Sequence, residues 1–340
     1  MMDEHLHRTV LVTGGAGFIG SNFIHYFLNK NPYCNIINLD KLTYAGDPSN
    51  LKEIRDHEQY EFVHGDICDE QLIEEIFKNH NVSSVIHFAA ESHVDNSIES
   101  PNNFIKTNIE GTFVLLEAAR NYWTNSRSSN QINRFHHIST DEVYGSLGEE
   151  GYFSERSPYA PNSPYSASKA ASDLLVRSYH ETYGMDTIIT NCSNNYGPKQ
   201  HDEKLIPTII RKAISNEPIP IYGDGSNIRD WIYVLDHCKA LDLAFHKGKS
   251  GETYVIGGDN ECTNLYLANT VCELLDELNP KEKGSYLDQI SFVKDRPGHD
   301  FRYALDSSKI KNSLGWKPEE NFKSGLAATV KWYLNKYRNA

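Results

Sequence analysis

The chain of 340 residues is 39% hydrophobic and 23% charged, with 33 Lys and Arg against 46 Asp and Glu and a formal net charge of −13. These values exclude a disordered or fibrous chain, and an acidic balance without any Lys/Arg run argues against nucleic acid as a partner. Any phosphate ligand must then find its positive partners locally. The six cysteines form no CxxC pair, Met1–Thr9 is polar, and no run reaches the ~20 apolar residues of a membrane span. The sequence therefore reads as a soluble cytoplasmic protein with reduced thiols and no membrane partner.

Thr9–Thr13 reads as a buried strand and Phe18–Lys30 as a helix. Asn35–Leu39 is a second strand, followed by a loop and helix around Ser49–His57. Tyr60–His64 is a third strand, Glu70–Asn79 a helix, Ser84–Phe88 a fourth strand and Pro101–Tyr122 one long helix. Asn121–Asn133 reads as a polar loop, Phe135–Ile138 as a fifth strand, Pro164–Tyr183 as a helix and Thr187–Asn191 as a sixth strand. This alternation predicts an α/β fold with a doubly wound parallel sheet (Rossmann), and the unbroken apolar strands predict a sheet covered on both faces. After Cys192, turns at Gly197–Pro198, Pro218–Pro220 and Gly223–Gly225 loosen the pattern, and Glu252–Ile256 reads as one more buried strand. The expected division is a nucleotide-binding domain over residues 1–192 plus about 229–260, and a smaller, discontinuous substrate lobe over about 193–228 and 261–340.

The first strand runs into Gly14-Gly15-Ala16-Gly17-Phe18-Ile19-Gly20, a GxxGxxG turn that opens a helix. Glycines allow a tight turn and close approach to a pyrophosphate, and helix-end amides hold its charge without Lys or Arg. Asp40 ends the second strand, 20 residues after Gly20. A carboxylate there can bind a ribose 2′-hydroxyl and repel a 2′-phosphate, favouring NAD over NADP; the alternative is a turn cap. Asp66-Ile67 can flank the adenine or form a simple Asx turn. Ala89 and Ala90 place small residues where a nucleotide must pass, and Lys41, Thr43, Ser92, Thr107, Asn108 and Asn191 are further cofactor candidates.

Tyr165 and Lys169 share a helix face at i and i+4. An ammonium beside the phenol is expected to lower its pKa and make it a base for a hydroxyl proton while hydride leaves to the cofactor. Thr140 follows the fifth strand and can hydrogen-bond the same hydroxyl. Asp141 and Glu142, beside it, read either as a second proton-transfer pair or as a helix-capping pair. Tyr-x-x-x-Lys with the upstream GxxGxxG resembles the extended short-chain dehydrogenase/reductase family. A longer set resembles that family's dTDP-glucose 4,6-dehydratases over about residues 8–335: AAESHVD, STDEVYG, YSASK, TNCSNNYGP, EKLIP, RDWIYVLDH and DRPGHDFRYALD.

The resemblance implies a tightly held NAD regenerated in each turnover, a nucleotide-sugar substrate, and a 4-keto-6-deoxy product of deoxysugar biosynthesis. On these residues it implies that Tyr165, Thr140 and Lys169 serve oxidation at C4, Glu142 takes the C5 proton and Asp141 protonates the leaving C6 hydroxyl. It also implies a homodimer through the helices near Pro101–Tyr122 and Pro164–Tyr183.

On the substrate side, Arg229 and Arg296 are candidate diphosphate partners, against the plainer reading of surface salt bridges. Ser92, His93, Asn194, Glu203, Lys204, Leu205, Asn264, His299 and Tyr303 resemble the family's substrate contacts, and Pro220 and Tyr222 offer a surface for the base. No His spacing suits a metal, and His136-His137 reads as strand-end packing. Asn96, Lys199, His201 and Asp202 depart from the family's usual Arg, Tyr, Phe and Pro. The alternatives are a sugar-nucleotide 4-epimerase, which would have no use for Asp141-Glu142, and an NAD-binding sensor, which would have no need of the full Thr140/Tyr165/Lys169 set.

Overall fold

The computed structural model describes residues 8–125 and 133–338. The first part of the chain builds β1 (Arg8–Thr13), α1 (Phe18–Lys30), β2 (Cys34–Asp40), β3 (Tyr60–His64), α2 (Glu70–His80), β4 (Ser84–His87), α3 (Val94–Glu99), α4 (Pro101–Phe104), α5 (Gly111–Asn125), β5 (Arg134–Thr140), α6 (Pro164–Tyr183) and β6 (Thr187–Cys192). The second part builds β7 (Asn194–Tyr196), α7 (Leu205–Ile214), β8 (Ile219–Tyr222), β9 (Ile228–Tyr233), α8 (Val234–Lys247), β10 (Thr253–Ile256), β11 (Glu261–Thr263), α9 (Asn264–Leu278), β12 (Ile290–Val293), α10 (Ser308–Leu314) and α11 (Phe322–Arg338).

Seven strands form one parallel sheet in the order β10-β6-β5-β4-β1-β2-β3. Every residue of β5 is buried, as is Val10–Thr13 of β1, because helices cover both faces. One apolar cluster, around Phe23, Phe27, Leu241 and Phe245, lies under α1 and α8; the other, around Ile73, Phe77, Leu115 and Val176, lies under α2, α5 and α6. Local signals place the helix ends. Asp69 accepts the Leu72 amide at 3.1 Å to start α2, and a Ser163/Ser166 capping box with Pro164 starts α6. Gly184, at φ +66°, ends α6 in the left-handed conformation that a side chain would strain.

The single helix expected over Pro101–Tyr122 is instead α4, a π turn over Ile105–Glu110, and α5. Side chains claim the backbone at the turn: Thr112 Oγ1 and, from α6, Ser172 Oγ donate to the Asn108 carbonyl at 2.6 and 2.8 Å. The Asn108 amide in turn bridges Glu91 O and Ser168 Oγ. Around Ser49–His57 the chain forms a 3₁₀ helix over Pro48–Ile54, and α3 is too short to show in a sequence period. Of the expected polar loop, Asn121–Asn125 is helical and 126–132 lie outside the described residues.

The second part interleaves two bodies. α8 packs on α1, β10 pairs with β6, and α10 packs against both. In contrast β9, expected with the nucleotide-binding part, pairs with β7 and β11 in a three-stranded sheet, and β8 pairs with β12. α7, α9 and α11 close over a separate core of Ile206, Ile209, Trp231, Leu267, Val271, Val330 and Tyr333.

Candidate active site

One cavity of about 510 Å³ opens at the carboxyl ends of β1, β4, β5 and β6 and continues to β8 and β9 of the small lobe. Between β1 and β4 the strand order reverses, which leaves a crevice where doubly wound sheets bind nucleotides.

The glycine turn shapes one end. Gly14 has φ +72°, and a Cβ on it would lie 2.6 Å from the Ala89 nitrogen. Gly20 is equally closed, since its Cβ would lie 2.4 Å from the Gly14 carbonyl. Gly17 differs: its Cβ would meet nothing nearer than that carbonyl at 3.3 Å, so packing alone does not demand glycine there. Gly17 is the N-cap of α1, no side chain caps the first turn, and no acid sits in it. This open, positive cradle fits a dinucleotide pyrophosphate.

Asp40 lines the cavity with both oxygens anchored, accepting Ala16 N at 2.9 Å and Leu42 N at 2.8 Å. The turn-cap reading of Asp40 therefore holds, and the capping carboxylate also faces the cavity. Asp66 likewise forms its Asx turn to Cys68 N and also pairs with Lys41 at 2.7 Å on the cavity rim. Phe18, Ile19, Thr43, Ile67, Ala89, Ala90, Ser92 and Thr107 line the same space.

The reacting side chains lie at the other end. β5 runs two residues further than expected and delivers Ser139 and Thr140 to the cleft. Thr140 supplies the cap of the following 3₁₀ turn, accepting Glu142 N at 3.3 Å and donating to Asp141 Oδ1 at 3.2 Å. The acids are thus not the cap. Asp141 is 2% exposed, and its Oδ2 has no hydrogen-bond partner. Burial pushes its carboxyl well above the usual range, with Glu142 and Asp230 adding to the effect. Burial also raises Glu142, but Arg296, Arg229 and Lys204 pull it back, so the two acids are driven apart.

Tyr165 and Lys169 line the cavity from the first turns of α6. The expected lowering of the phenol is not what the chain alone does. Burial and then Glu142 raise it, while the Lys169 ammonium is bound to the Ile138 carbonyl at 2.8 Å. Burial lowers Lys169 itself to about 8.

Arg229, Arg296, Lys204, Glu203, Leu205, His93, Asn194, Asn264, Pro220, Tyr222 and His299 all line the cavity. Arg229 is held by the carbonyls of Ile228 and Asp300 and stacks on Tyr303, 4.3 Å from the ring centre. Arg296 reaches Asp95 at 3.4 Å. Three expected site residues are elsewhere, among them Asn108, buried in the π turn between α4 and α5. Tyr303 stands behind Arg229 with its hydroxyl on Asp300, and Asn191 is fully buried beneath Thr140, donating to the Thr140 carbonyl and to Asp173. The sequence reading also missed Asp95 and Trp231, which line the cavity. Trp231 Nε1, Asn264 Oδ1 and Glu203 Oε1 are buried without hydrogen-bond partners, which marks where a polar ligand is wanted. Trp231 sits inside RDWIYVLDH, so the motif carried the signal.

Comparison with known proteins decides the family. A family model described as GDP-mannose 4,6 dehydratase matches residues 11–329. The dTDP-glucose 4,6-dehydratase 1 of Escherichia coli (strain K12) is 55% identical over 336 residues, covering 96% of this chain and 92% of that protein. The dTDP-glucose 4,6-dehydratase of Neisseria gonorrhoeae is 54% identical and covers 96% of each chain. The chain belongs to the dTDP-glucose 4,6-dehydratase family. A crystal structure of the Streptomyces venezuelae dTDP-glucose 4,6-dehydratase with NAD bound superposes at TM-score 0.89 with 45% identity, covering 97% of this chain and 98% of that one. The UDP-glucose 4-epimerase of Thermotoga maritima also superposes, at 0.84 with 29% identity, covering 97% of this chain and 99% of that one, so the fold alone does not name the reaction.

Among this chain's own departures within the dTDP-glucose 4,6-dehydratase family, Lys199, His201 and Asp202 lie on one strap, of which His201 also lines the cavity while Lys199 and Asp202 do not. Lys199, at φ +73°, donates to the Asn50 carbonyl at 2.8 Å, and the Asn50 amide holds Ala16 O of the glycine turn. Pro198 O accepts from Asn22 of α1, and His201 packs edge-on against Tyr44. Asp202 anchors the other end by accepting the Tyr337 hydroxyl at 2.8 Å. Asn96 is exposed and outside the cavity wall.

Proposed function

We propose that this protein converts dTDP-glucose to dTDP-4-keto-6-deoxyglucose and water, an internally redox-neutral lyase reaction of deoxysugar biosynthesis. The observation that carries this reading is the buried Asp141 beside the half-buried Glu142 in one cavity with Thr140, Tyr165, Lys169 and the glycine cradle. Epimerisation at C4 needs only the last set; elimination across C5 and C6 needs a further base and a further acid. The names of the 4,6-dehydratase relatives support it.

NAD, which the Streptomyces relative binds, would be held by the Gly14–Gly20 turn and Asp40 and would supply the hydride acceptor for C4 and the hydride donor for C6. Tyr165 takes the C4 hydroxyl proton while Thr140 holds that oxygen and Lys169 stands behind the phenol. The resulting ketone acidifies C5–H, and Glu142 removes that proton. Asp141, kept protonated by burial, gives its proton to the departing C6 hydroxyl, and Glu142 returns its own to C5. The Tyr165 proton passes to solvent and Asp141 is recharged, so one water leaves per turnover. Arg229, Arg296 and Lys204 offset the diphosphate charge.

Incubation with dTDP-glucose and no added reductant should give a product lighter by one water, with UDP- and GDP-glucose converted far more slowly. Formation of dTDP-galactose instead would sink this reading. Glu142→Gln should reduce bound dinucleotide and stall before water loss; normal water loss would remove Glu142 as the C5 base.

The same reading makes the enzyme a cytoplasmic homodimer. Six free thiols suit a reducing compartment. Among the described residues no helix is long and apolar enough to cross a membrane. Ile98, Ile105, Phe113 and Leu174, each at least 41% exposed, lie on the mutually packed segment from α3 through α6 and suit a partner copy.

A further inference from the structure

Behind the reacting residues lies a buried polar chain that the three-step reaction does not use. Lys169 is 4% exposed, and its Nζ lies 2.8 Å from the Ile138 carbonyl and 3.4 Å from His137 Nε2. The same His137 nitrogen lies 3.2 Å from Asp173 Oδ1, one helical turn beyond Lys169. The other oxygen of Asp173 is held by three donors: Ser139 Oγ at 2.9 Å, Tyr159 OH at 3.0 Å and Asn191 Nδ2 at 3.0 Å. Three donors on one oxygen favour the ionised carboxylate.

His137 is fully buried, and its Nδ1 has no hydrogen-bond partner. The His137 ring lies between the two charges: its Nε2 is 3.4 Å from the ammonium and 3.2 Å from Asp173 Oδ1, an oxygen with no hydrogen-bond donor of its own. Lys169 then spends a donor on Ile138 and has Asp173 as its counter-charge across the ring. The titratable groups around Lys169 are His137 on β5, Cys192 on β6, and Tyr165 and Asp173 on α6, with His87 on β4 at 5.2 Å between ring centres behind His137. Burial holds Cys192 as a thiol and both histidines neutral. Of these groups only Asp173 offers a full negative charge near neutrality.

We propose that Asp173 is a positioning residue of the catalytic chain: acting across His137, its carboxylate keeps Lys169 charged and in place, and Lys169 keeps Tyr165 able to take the substrate proton. This rests on the function proposed above. The sign follows directly. Removing the negative charge lets the ammonium release its proton at lower pH, so the alkaline limb of the reaction, set by Lys169, moves down.

The test is the pH dependence of single-turnover hydride transfer from dTDP-glucose to bound dinucleotide. Asp173→Asn should move the alkaline limb down by about one unit or more, slowing the step about five- to tenfold at pH ~8 with KM nearly unchanged. Tyr159→Phe, which strips one donor and leaves the carboxylate charge less shared, should move the limb slightly the other way and serves if Asp173→Asn does not fold. In a Lys169→Arg background, where the cation does not titrate, the added Asp173→Asn should leave the profile unmoved. A uniform loss of rate with the limb unmoved, or an equal shift in the arginine background, overturns the proposal while leaving the reaction assignment intact. An unmodified protein that does not turn over dTDP-glucose overturns both.

Discussion

Glycines that look alike in the GxxGxxG turn have different jobs, and single substitutions separate them. Gly14→Ala should destabilise the fold by more than about 1 kcal/mol, because it forces a side chain into a left-handed backbone against Ala89. Gly17→Ala should cost clearly less apoprotein stability than Gly14→Ala, its nearest contact being the Gly14 carbonyl at 3.3 Å, yet weaken NAD binding at least tenfold by crowding the cradle. Urea melts and NAD titration check the pair, and equal loss of stability in both would refute the distinction. The motif was legible in the sequence, but this division was not, because it depends on what each Cβ would meet. Asp141-Glu142 is similar. Sequence left a cap and a proton relay open, and the structure decides against the cap by giving that task to Thr140. Asn191 and Tyr303 were misplaced by one layer: motif matching finds the neighbourhood, but not whether a side chain faces the cavity or braces the residue that does.

Among the elements, the strands of the large sheet were legible because continuous apolar runs have no other home in a globular chain. The π turn was not, because there Ser172 of α6 and Thr112 of α5 both donate to the Asn108 carbonyl, a contact with no local period. β9 was not read as a strand: the stretch from about 229 was placed with the nucleotide-binding part as a whole, whereas β9 pairs with β7 and β11. The strap from Gly197 to Lys204 was noticed only as a set of unusual residues. Its contacts tie the small lobe to the glycine turn through Asn50, so Lys199→Ala should speed NAD release several-fold without changing the KM of dTDP-glucose. Exchange of labelled NAD measures this, and an unchanged release rate would show the strap to be passive. Lys199→Gly should lose the same contact but gain stability at a left-handed position.

For the molecule as a whole, the acidic balance that opened the sequence reading proves a poor guide to the site, where Arg229, Arg296 and Lys204 gather around Glu142. A better global statement concerns acid. His87, His136, His137 and His237 are fully buried and held neutral, the last pushed down to about 3. Their contribution is complete above the ordinary histidine range and is lost as pH falls below about 6.5. Asp141 and Asp173, both raised by burial, the latter to about 6, oppose part of this. The four buried histidines should make stability fall as pH drops through about 6. Urea midpoints just above and below pH 6 test the sign, and a midpoint that rises on acidification would contradict it. For the proposed dimer, Phe113→Glu with Leu174→Glu should halve the sedimentation mass while leaving helix content intact.

The chain passes between its two bodies repeatedly: α8, β10 and α10 return to the large sheet between stretches that build the small lobe, and α11 ends in the small lobe's core. Neither body is a contiguous stretch of gene. A single crossover between two related genes therefore cannot trade one small lobe for another; it would splice part of each core to a stranger. New substrate preference in such a scaffold has to arise by replacement of individual side chains around a fixed cofactor cradle. An engineer seeking a different nucleotide or sugar should follow the same route and edit the cavity lining in place.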